Sequence, residues 1–284
     1  MLQQVATPDR SERLQRSVGT GRIAFKRRGR ATVLADLHQS GCLKLRLPKG
    51  GRTLAEAVLI NTAGGLTDGD DFALDARWGE GTTAVLTTQA CERIYRSRGG
   101  PASVSTTISA SDGATALWLP QETILFSGGR LRRSMDVRLY GDARFLGLES
   151  VILGRTAMGE TVHEGALSDV WTIARNGRLL FRDRIGIDGD LQARLARRAV
   201  GDGTAAFATV LHAGGESAHF CRTICPLLEL DGLIGGCSDL GGVAIARVLA
   251  PDGRTLRRAL VRLLDAAGAA LNLGPGLPPR VWMM

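Results

Sequence analysis

The stretch Met135-Asp-Val-Arg-Leu139 alternates apolar and charged residues with a period of two. Successive side chains of a β-strand point to opposite faces, so this pattern predicts a strand with one buried face and one solvated face. A chain that repeats such strands builds its core from packed sheets. The same alternation occurs in three other stretches: Cys42–Leu47, Val104–Ile108 and Trp171–Ile173.

Short clusters of turn-forming residues separate these stretches. Asn176-Gly177 is a dipeptide typical of a two-residue β-hairpin, and the chain has 37 glycines among its 284 residues. Strands at short spacing without helical patterns between them predict a mainly β, elongated antiparallel body over residues 20–190. No internal repeat with a period of about 20 to 50 residues is visible.

The apolar periodicity changes after about residue 190. Apolar residues recur at helical spacing from Thr255 to Leu271, which predicts an amphipathic helix there. A second helix is expected within residues 216–230, so residues 191–284 are predicted to mix strands with the few helices of the chain. Residues 1–20 are expected to form a flexible basic arm. We interpret residues 1–284 as a single chain built on this plan.

The charge balance leaves several partner classes open. The chain carries 36 Lys and Arg against 28 Asp and Glu, a net charge of +8. This excess is compatible with an acidic partner, and a basic nucleic-acid-binding β protein remains an alternative. Aromatic residues make up only 5% of the chain, which is few for base stacking, and Phe25 is the only one in the basic N-terminal segment. We therefore expect no nucleic-acid partner.

The compartment is predicted from what the sequence lacks. No run approaches the roughly 20 apolar residues of a membrane-spanning helix. Residues 1–30 show no apolar core of a secretory signal. The five cysteines are odd in number and form no dense framework, so they are most simply free thiols. We expect a cytoplasmic protein without a membrane partner.

Sequence motifs for catalysis are missing. The chain has no phosphate-binding loop with its Lys and Ser/Thr, and no nucleophile elbow of the Gly-x-Ser-x-Gly type. Four scattered histidines give no pattern of a base beside a nucleophile. A hydrolase assembled across the sequence stays an unsupported alternative, and we expect the chain not to be an enzyme.

A group of potential metal ligands lies in the C-terminal third. His219, Cys221 and Cys225 are close in sequence, and Cys237 follows. Structural zinc sites show two complete ligand pairs, whereas the second pair is incomplete here. Buried thiols in or beside a helix are the favoured interpretation, and a transient soft-metal contact is the alternative.

Four blocks of sequence carry a resemblance to a known family. In this order and at this spacing they resemble the urease accessory protein UreD family, also called UreH. The likeness covers about residues 20–185 strongly and the last third weakly, where Pro279-Arg-Val-Trp282 resembles the family's terminus. The blocks are Asn61-Thr-Ala-Gly-Gly-Leu-Thr-Asp-Gly-Asp70, Thr87-Thr-Gln-Ala-Cys-Glu-Arg-Ile-Tyr-Arg-Ser97, Trp118-Leu-Pro-Gln-Glu-Thr-Ile-Leu-Phe126 and Leu153-Gly-Arg-Thr-Ala-Met-Gly-Glu160.

The resemblance implies a function that composition does not show. Members of this family are non-catalytic maturation factors of nickel urease with a mostly β fold. They bind UreF, through it the GTPase UreG, and dock on the urease apoprotein so that nickel reaches its active site. A dimer of UreD-UreF-UreG complexes is one arrangement that this implies. No tightly bound cofactor is expected, and Ni(II) would be bound only transiently.

A protein that passes nickel onward must bind it weakly. Nickel(II) accepts carboxylate, carbonyl, imidazole and water ligands, and isolated carboxylates along a hydrated passage avoid a trapping cage. For Glu149 and Asp183, the interpretation as outward-facing strand residues has the same weight as a place on the nickel route. Glu122 and Glu160 have the alternative of holding a turn or pairing with Arg155, and the role of Asp68, an extra carboxylate beside Asp70, stays open. The candidate residues of the nickel route are Asp70, Glu122, Glu149, Glu160 and Asp183.

Overall fold

The computed structural model describes residues 15–48, 54–155, 159–229, 232–274 and 276–283. Strands account for 52% and helices for 15% of the structure, which confirms the mainly β prediction. In chain order the strands are β1 (Val18–Arg28), β2 (Ala31–Gly41), β3 (Leu43–Arg46), β4 (Ala55–Asn61), β5 (Asp71–Trp78), β6 (Thr83–Thr88), β7 (Glu92–Ile94), β8 (Ala102–Ala110), β9 (Thr115–Leu119), β10 (Thr123–Leu125), β11 (Arg130–Leu139), β12 (Arg144–Leu153), β13 (Gly165–Arg175), β14 (Arg178–Gly189), β15 (Ala206–Ala213), β16 (Ile234–Asp239) and β17 (Val243–Ala250).

The strands form two sheets whose central pairs are parallel. The first sheet has the order β14-β13-β11-β8-β5-β1-β2, and every pair from β13 to β1 is parallel. The second has the order β16-β17-β15-β12-β9-β6-β4-β3, with parallel pairs from β12 to β4, and β10 pairs with both β12 and β7. Antiparallel pairs lie toward the ends of each sheet. The predicted antiparallel body therefore needs correction, because both sheets are mixed.

The parallel pairing follows from the path of the chain. From β4 to β13 the chain passes back and forth between the two sheets. Neighbouring strands within a sheet therefore come from successive rounds of this path and run in the same direction. Most turn signals therefore mark crossings between sheets rather than hairpins. Gly113, for example, has φ +67° in the turn between β8 and β9, which belong to different sheets. Asn176 and Gly177, with φ of 50° and 77°, do close the predicted hairpin between β13 and β14.

Two apolar layers hold this architecture together. Between the sheets, Trp78, Met135 and Phe145 are buried in one core cluster. The opposite face of the second sheet packs against two of the three helices, through apolar residues such as Leu260 of the last helix. The helices are α1 (Leu191–Leu195), α2 (Ser217–Ile224) and α3 (Gly253–Ala270).

The predicted helices of the C-terminal third are confirmed. Helix α3 starts two residues before the predicted Thr255 because the Asp252 carboxylate caps it, accepting the Thr255 amide at 2.8 Å. Helix α2 continues into a 3-10 turn over Cys225–Glu229, within the predicted range 216–230. None of the helices in the described part of the chain is long and apolar enough to cross a membrane.

Residues 1–14 of the predicted arm 1–20 and part of the fourth block lie outside the described residues, whereas Val18–Thr20 belong to strand β1. Residues 1–14 and 156–158 belong to these gaps. Strand β1 begins at Val18, and the Phe25 side chain in it is only 2% exposed. Phe25 is therefore a core residue and is not available for base stacking. The predicted division into arm, β body and C-terminal part stays a prediction.

Candidate functional site

A cavity of about 170 Å³ lies between the two sheets. Its volume is enough for several water molecules or a hydrated ion. The buried end of the cavity is formed by Trp118, Arg133 and Glu149, all of them less than 9% exposed. The other end opens to solvent, and its exposed rim includes Gly64, Gln89, Ala90 and Arg93.

The rim depends on a close approach of two chain segments. Leu66 pairs with Ile94 as an isolated parallel bridge, which brings the first block against the second. Gly65 lies at the crossing with φ +151°, and a Cβ there would come within 2.3 Å of the Tyr95 ring and 2.7 Å of the Arg93 carbonyl oxygen. Only glycine leaves room for this contact.

A first carboxylate lies near the rim. Asn61 Nδ2 donates to Glu92 Oε1 at 3.0 Å and to Oε2 at 3.2 Å, and the Arg93 amide donates to Oε1 at 3.1 Å. Burial raises the pKa of the Glu92 carboxyl above its usual range, while the hydrogen bond from Asn61 lowers it. Glu92 and Asn61 both line the cavity, so an oxygen ligand is available between the rim and the buried end.

The buried end holds a cluster of three charged side chains, Arg133, Glu149 and Asp169, which we call the inner ion cluster. Arg133 Nη1 donates to Glu149 Oε2, and Arg133 Nη2 donates to Asp169 Oδ2 at 2.7 Å. Trp118 Nε1 donates to Glu149 Oε1 at 2.8 Å. Arg133 and Asp169 are opposite each other on β11 and β13, whereas Glu149 lies on β12 of the other sheet. The cluster therefore connects the two sheets.

Burial and charge compete in this cluster. Burial raises the pKa of Glu149 to about 7, and the Asp169 carboxylate adds to the rise, while Arg133 and Trp118 oppose it. Burial disfavours the charge of Arg133, but Asp169 and Glu149 raise its pKa overall. The guanidinium is therefore charged, while burial opposes and the guanidinium favours the ionised form of Glu149.

A thiol on the cavity wall is poorly suited to holding a soft metal. Cys91 Sγ lies 3.5 Å from Glu122 Oε2, and the residue lines the cavity. Burial raises the pKa of the Cys91 thiol to about 11, and the Glu122 carboxylate adds to the rise. Because the thiolate is the metal ligand, this side chain is largely protonated and weakly ligating at neutral pH.

Of the five predicted carboxylates, Glu149 alone lines the described cavity. Asp70 is buried elsewhere, where its carboxylate accepts the Ser17 amide at 2.7 Å and the Thr67 amide at 2.8 Å. It thereby fixes the first block to the start of β1. The neighbouring Asp68 pairs with Arg16 at 3.1 Å.

Glu122 joins the third block to the C-terminal residues. Its side chain is 1% exposed and forms an ion pair with Arg257 of α3, whose Nε lies 2.6 Å from Oε1. The Arg257 guanidinium also stacks on the Trp282 ring at 4.6 Å and donates to the Trp282 carbonyl oxygen at 3.3 Å. We call Glu122, Arg257 and Trp282 the C-terminal latch.

The remaining two carboxylates also have cationic partners. Arg155 Nε donates to Glu160 Oε2 at 2.8 Å, which is the pairing that the sequence left open. Arg247 Nη2 donates to Asp183 Oδ2 on β14. Each of the five predicted carboxylates thus has a hydrogen-bond or ion-pair partner within the protein, and their assignment to a nickel route stays a prediction.

The cysteine group shows no complete metal site. Cys221 and Cys237 are half-buried, Cys225 and His219 are exposed, and the cysteines are free thiols. Over the described residues, no three His, Cys, Asp or Glu side chains come together in an arrangement that could hold a metal ion.

Three polar residues of the site were not among the sequence candidates. Glu92 lies within the second block, and its position beside Asn61 depends on a contact across the fold. Arg133 and Asp169 had a visible signal, because each is in phase with the buried residues of its strand: Arg133 with Met135, and Asp169 with Trp171. A charged residue at an inward position of a strand predicts a buried ion pair.

The cavity wall draws on three of the four sequence blocks. The first contributes Asn61, Gly64 and Leu66, the second contributes residues 88–94, and the third contributes residues between Trp118 and Thr123. The blocks that carry the family resemblance therefore meet around one feature of the fold.

Comparisons with known proteins agree with this resemblance. The UreD urease accessory protein family matches residues 17–283. The urease accessory protein UreD of Rhizobium leguminosarum bv. viciae is 44% identical over 275 residues, which is 96% of this chain and 97% of the relative. That of Chelativorans sp. strain BNC1 is 43% identical over 284 residues, 99% of each chain. The matched proteins are accessory proteins by description, and this chain belongs to the UreD family of urease accessory proteins.

Proposed function

We propose that this chain is a cytoplasmic, non-catalytic urease maturation factor that acts with UreF and the GTPase UreG to deliver Ni(II) to the urease apoprotein. Membership of the UreD family supports the role in maturation. The observation that carries the nickel step is the cavity, since the carboxylates of Glu92 and Glu149 lie in its otherwise largely apolar wall and three of the family's sequence blocks form that wall.

We propose that nickel enters this cavity from its open rim and meets weak oxygen ligands inside it. Glu92 near the rim and Glu149 at the buried end offer carboxylate oxygens at two depths. Each is already hydrogen-bonded within the protein, so an ion must compete for it and is held weakly. Successive weak sites let an ion enter and leave, whereas a complete ligand cage would retain it.

The sequence analysis names five carboxylates in the blocks or on strands as candidates for a nickel route, and we propose different roles for them. Glu149 is the candidate ligand. Asp70, Glu122, Glu160 and Asp183 have structural partners, so we propose that they hold the walls and the C-terminal residues in place.

A plug in the cavity tests the proposal. Thr106 lines the cavity and is 6% exposed, so T106F places an aromatic ring in the passage. The neighbouring Thr107 on β8 points to the opposite face, and T107F is the matched control. Apo-urease is reconstituted with UreF, UreG and nickel in the presence of wild type, T106F or T107F, and in the absence of this chain. Urease activity and nickel content are compared between these reactions.

We expect T106F to lose most of the urease activation and of the nickel content of urease, while T107F stays close to wild type. Overpacking costs about 1–3 kcal/mol, so circular dichroism and co-purification with UreF and UreG must show that both variants fold and assemble. Full activation by a folded, assembled T106F would contradict passage of nickel through this cavity.

A further inference from the structure

The guanidinium of Arg133 occupies the position between two carboxylates that a cation would take. It donates to Glu149 Oε2 on one side and to Asp169 Oδ2 on the other, and Arg133 Nη1 also donates to Thr123 Oγ1 at 3.2 Å. Two carboxylates and a hydroxyl oxygen therefore face one positive group. Oxygen donors of this kind also bind divalent cations.

The cluster is incompletely satisfied as it stands. Asp169 Oδ1 and Arg133 Nε are buried and have no hydrogen-bond partner among the described residues, although both side chains are at least nine-tenths buried. Buried polar atoms without a partner are uncommon and cost free energy. One guanidinium thus leaves unused a carboxylate oxygen that a metal ion could bind.

The cavity gives the guanidinium space into which it can move. Arg133 and Glu149 both line the cavity, whose volume of about 170 Å³ adjoins the cluster. The arginine side chain is long and flexible, so it can turn toward the cavity without a movement of β11. Such a movement would free oxygens of Glu149, Asp169 and Thr123 at the same time.

We propose that Arg133 is a tethered cation that occupies a divalent-cation site formed by Glu149 and Asp169 and keeps the affinity of that site low. This inference rests on the proposed passage of nickel through the same cavity. An incoming ion displaces the guanidinium, and the guanidinium returns and expels the ion. The positive charge therefore makes the site transient without removing its oxygen ligands.

Removal of the tethered cation tests this inference directly. Binding of Ni²⁺ alone is measured by equilibrium dialysis and by thermal shift on the full chain co-purified with UreF, comparing wild type with R133M. We expect R133M to bind one additional Ni²⁺ per chain at least about tenfold more tightly than wild type, because a repelling charge a few ångströms away is gone. R133K keeps the positive charge and should resemble wild type.

The ligand oxygens are tested in the same background. R133M/E149Q and R133M/D169N should lose the additional nickel. If R133M unfolds because two carboxylates are left unpaired, nickel should restore its folded circular dichroism spectrum, and R133M/E149Q should not respond. An R133M chain that gains no nickel and is not restored by it, or a gain that survives both double variants, would overturn the proposal.

The result is distinguishable from a failure of the proposed function. The binding measurement uses no urease, whereas T106F is judged by urease activation. Tight nickel binding by R133M together with full activation by T106F would keep the site and reject the passage. The reverse pair of results would keep the passage and reject the tethered cation.

Discussion

The C-terminal latch allows a quantitative prediction about stability. Glu122 is 1% exposed on its side chain and its carboxylate is paired with Arg257, which itself is 26% exposed. The variant R257M keeps a side chain of similar length on α3 but removes the guanidinium. Glu122 then has a buried carboxylate without its counter-charge, and the Trp282 ring loses the cation above it.

The expected size of the effect follows from these contacts. Breaking a buried ion pair by removing one partner costs about 3–5 kcal/mol, because the remaining charge is buried without compensation. Loss of the stacking on Trp282 adds about 0.5–1 kcal/mol at a partly exposed site. We therefore expect R257M to lower the free energy of unfolding by roughly 3–5 kcal/mol, since Arg257 is not fully buried.

Equilibrium urea unfolding followed by tryptophan fluorescence measures this change. The double variant R257M/E122M should regain most of the loss, because replacing both partners of a buried pair by apolar residues is often close to neutral. Arg258 is exposed on the same helix, so R258M is the matched control and should stay within about 0.5 kcal/mol of wild type. A loss below about 1 kcal/mol for R257M would refute the importance assigned to the latch.

Two further predictions concern buried polar groups. Burial lowers the pKa of His212, so the imidazole of the unfolded chain is protonated at a higher pH than that of the folded chain. The free energy of unfolding should therefore fall as the pH drops below the unfolded pKa of about 6.5, by at most about 1.4 kcal/mol per pH unit. Urea unfolding at pH 5.5 to 7.5 should show that the free energy of unfolding of H212L depends less on pH than that of wild type. An unchanged pH dependence would mean that another group is responsible for it. For Asp70, D70A leaves the Ser17 and Thr67 amides without their acceptor and should cost about 2–4 kcal/mol by the same assay. If D70A instead abolished urease activation at unchanged stability, Asp70 would belong to the nickel route after all.

The sequence predicted strands well and their partners poorly. The alternation at Met135–Leu139 correctly indicates which residues of β11 face the core. The same alternation arises in parallel and antiparallel sheets, so it contains no information on direction. The dipeptide Asn176-Gly177 was decisive because its positive φ angles match a hairpin, whereas Asp112-Gly113 forms a turn that leads to the other sheet.

The candidate site was only partly predictable for a related reason. The sequence blocks contain Glu92 and Glu122, and Glu149 precedes the fourth block, but the partners of these carboxylates lie elsewhere in the chain. Arg257 is 135 residues from Glu122, and Asn61 is 31 residues from Glu92. Such pairs form only when the fold brings distant strands together. Residue type and spacing alone therefore could not distinguish a carboxylate with a structural partner from one that is available as a metal ligand.

The coiled path also has a consequence for synthesis of the chain. Each parallel pair joins strands from successive coils, as β1 does with β5 and β5 with β8. A nascent chain therefore lacks strand partners in the first sheet until the β13–β14 hairpin has formed, and in the second sheet until β15, β16 and β17 have been added. Unpaired edges recruit other chains, and non-local parallel pairing forms slowly. We expect the growing polypeptide to be most prone to aggregation on the ribosome before β17, which ends at Ala250, has emerged.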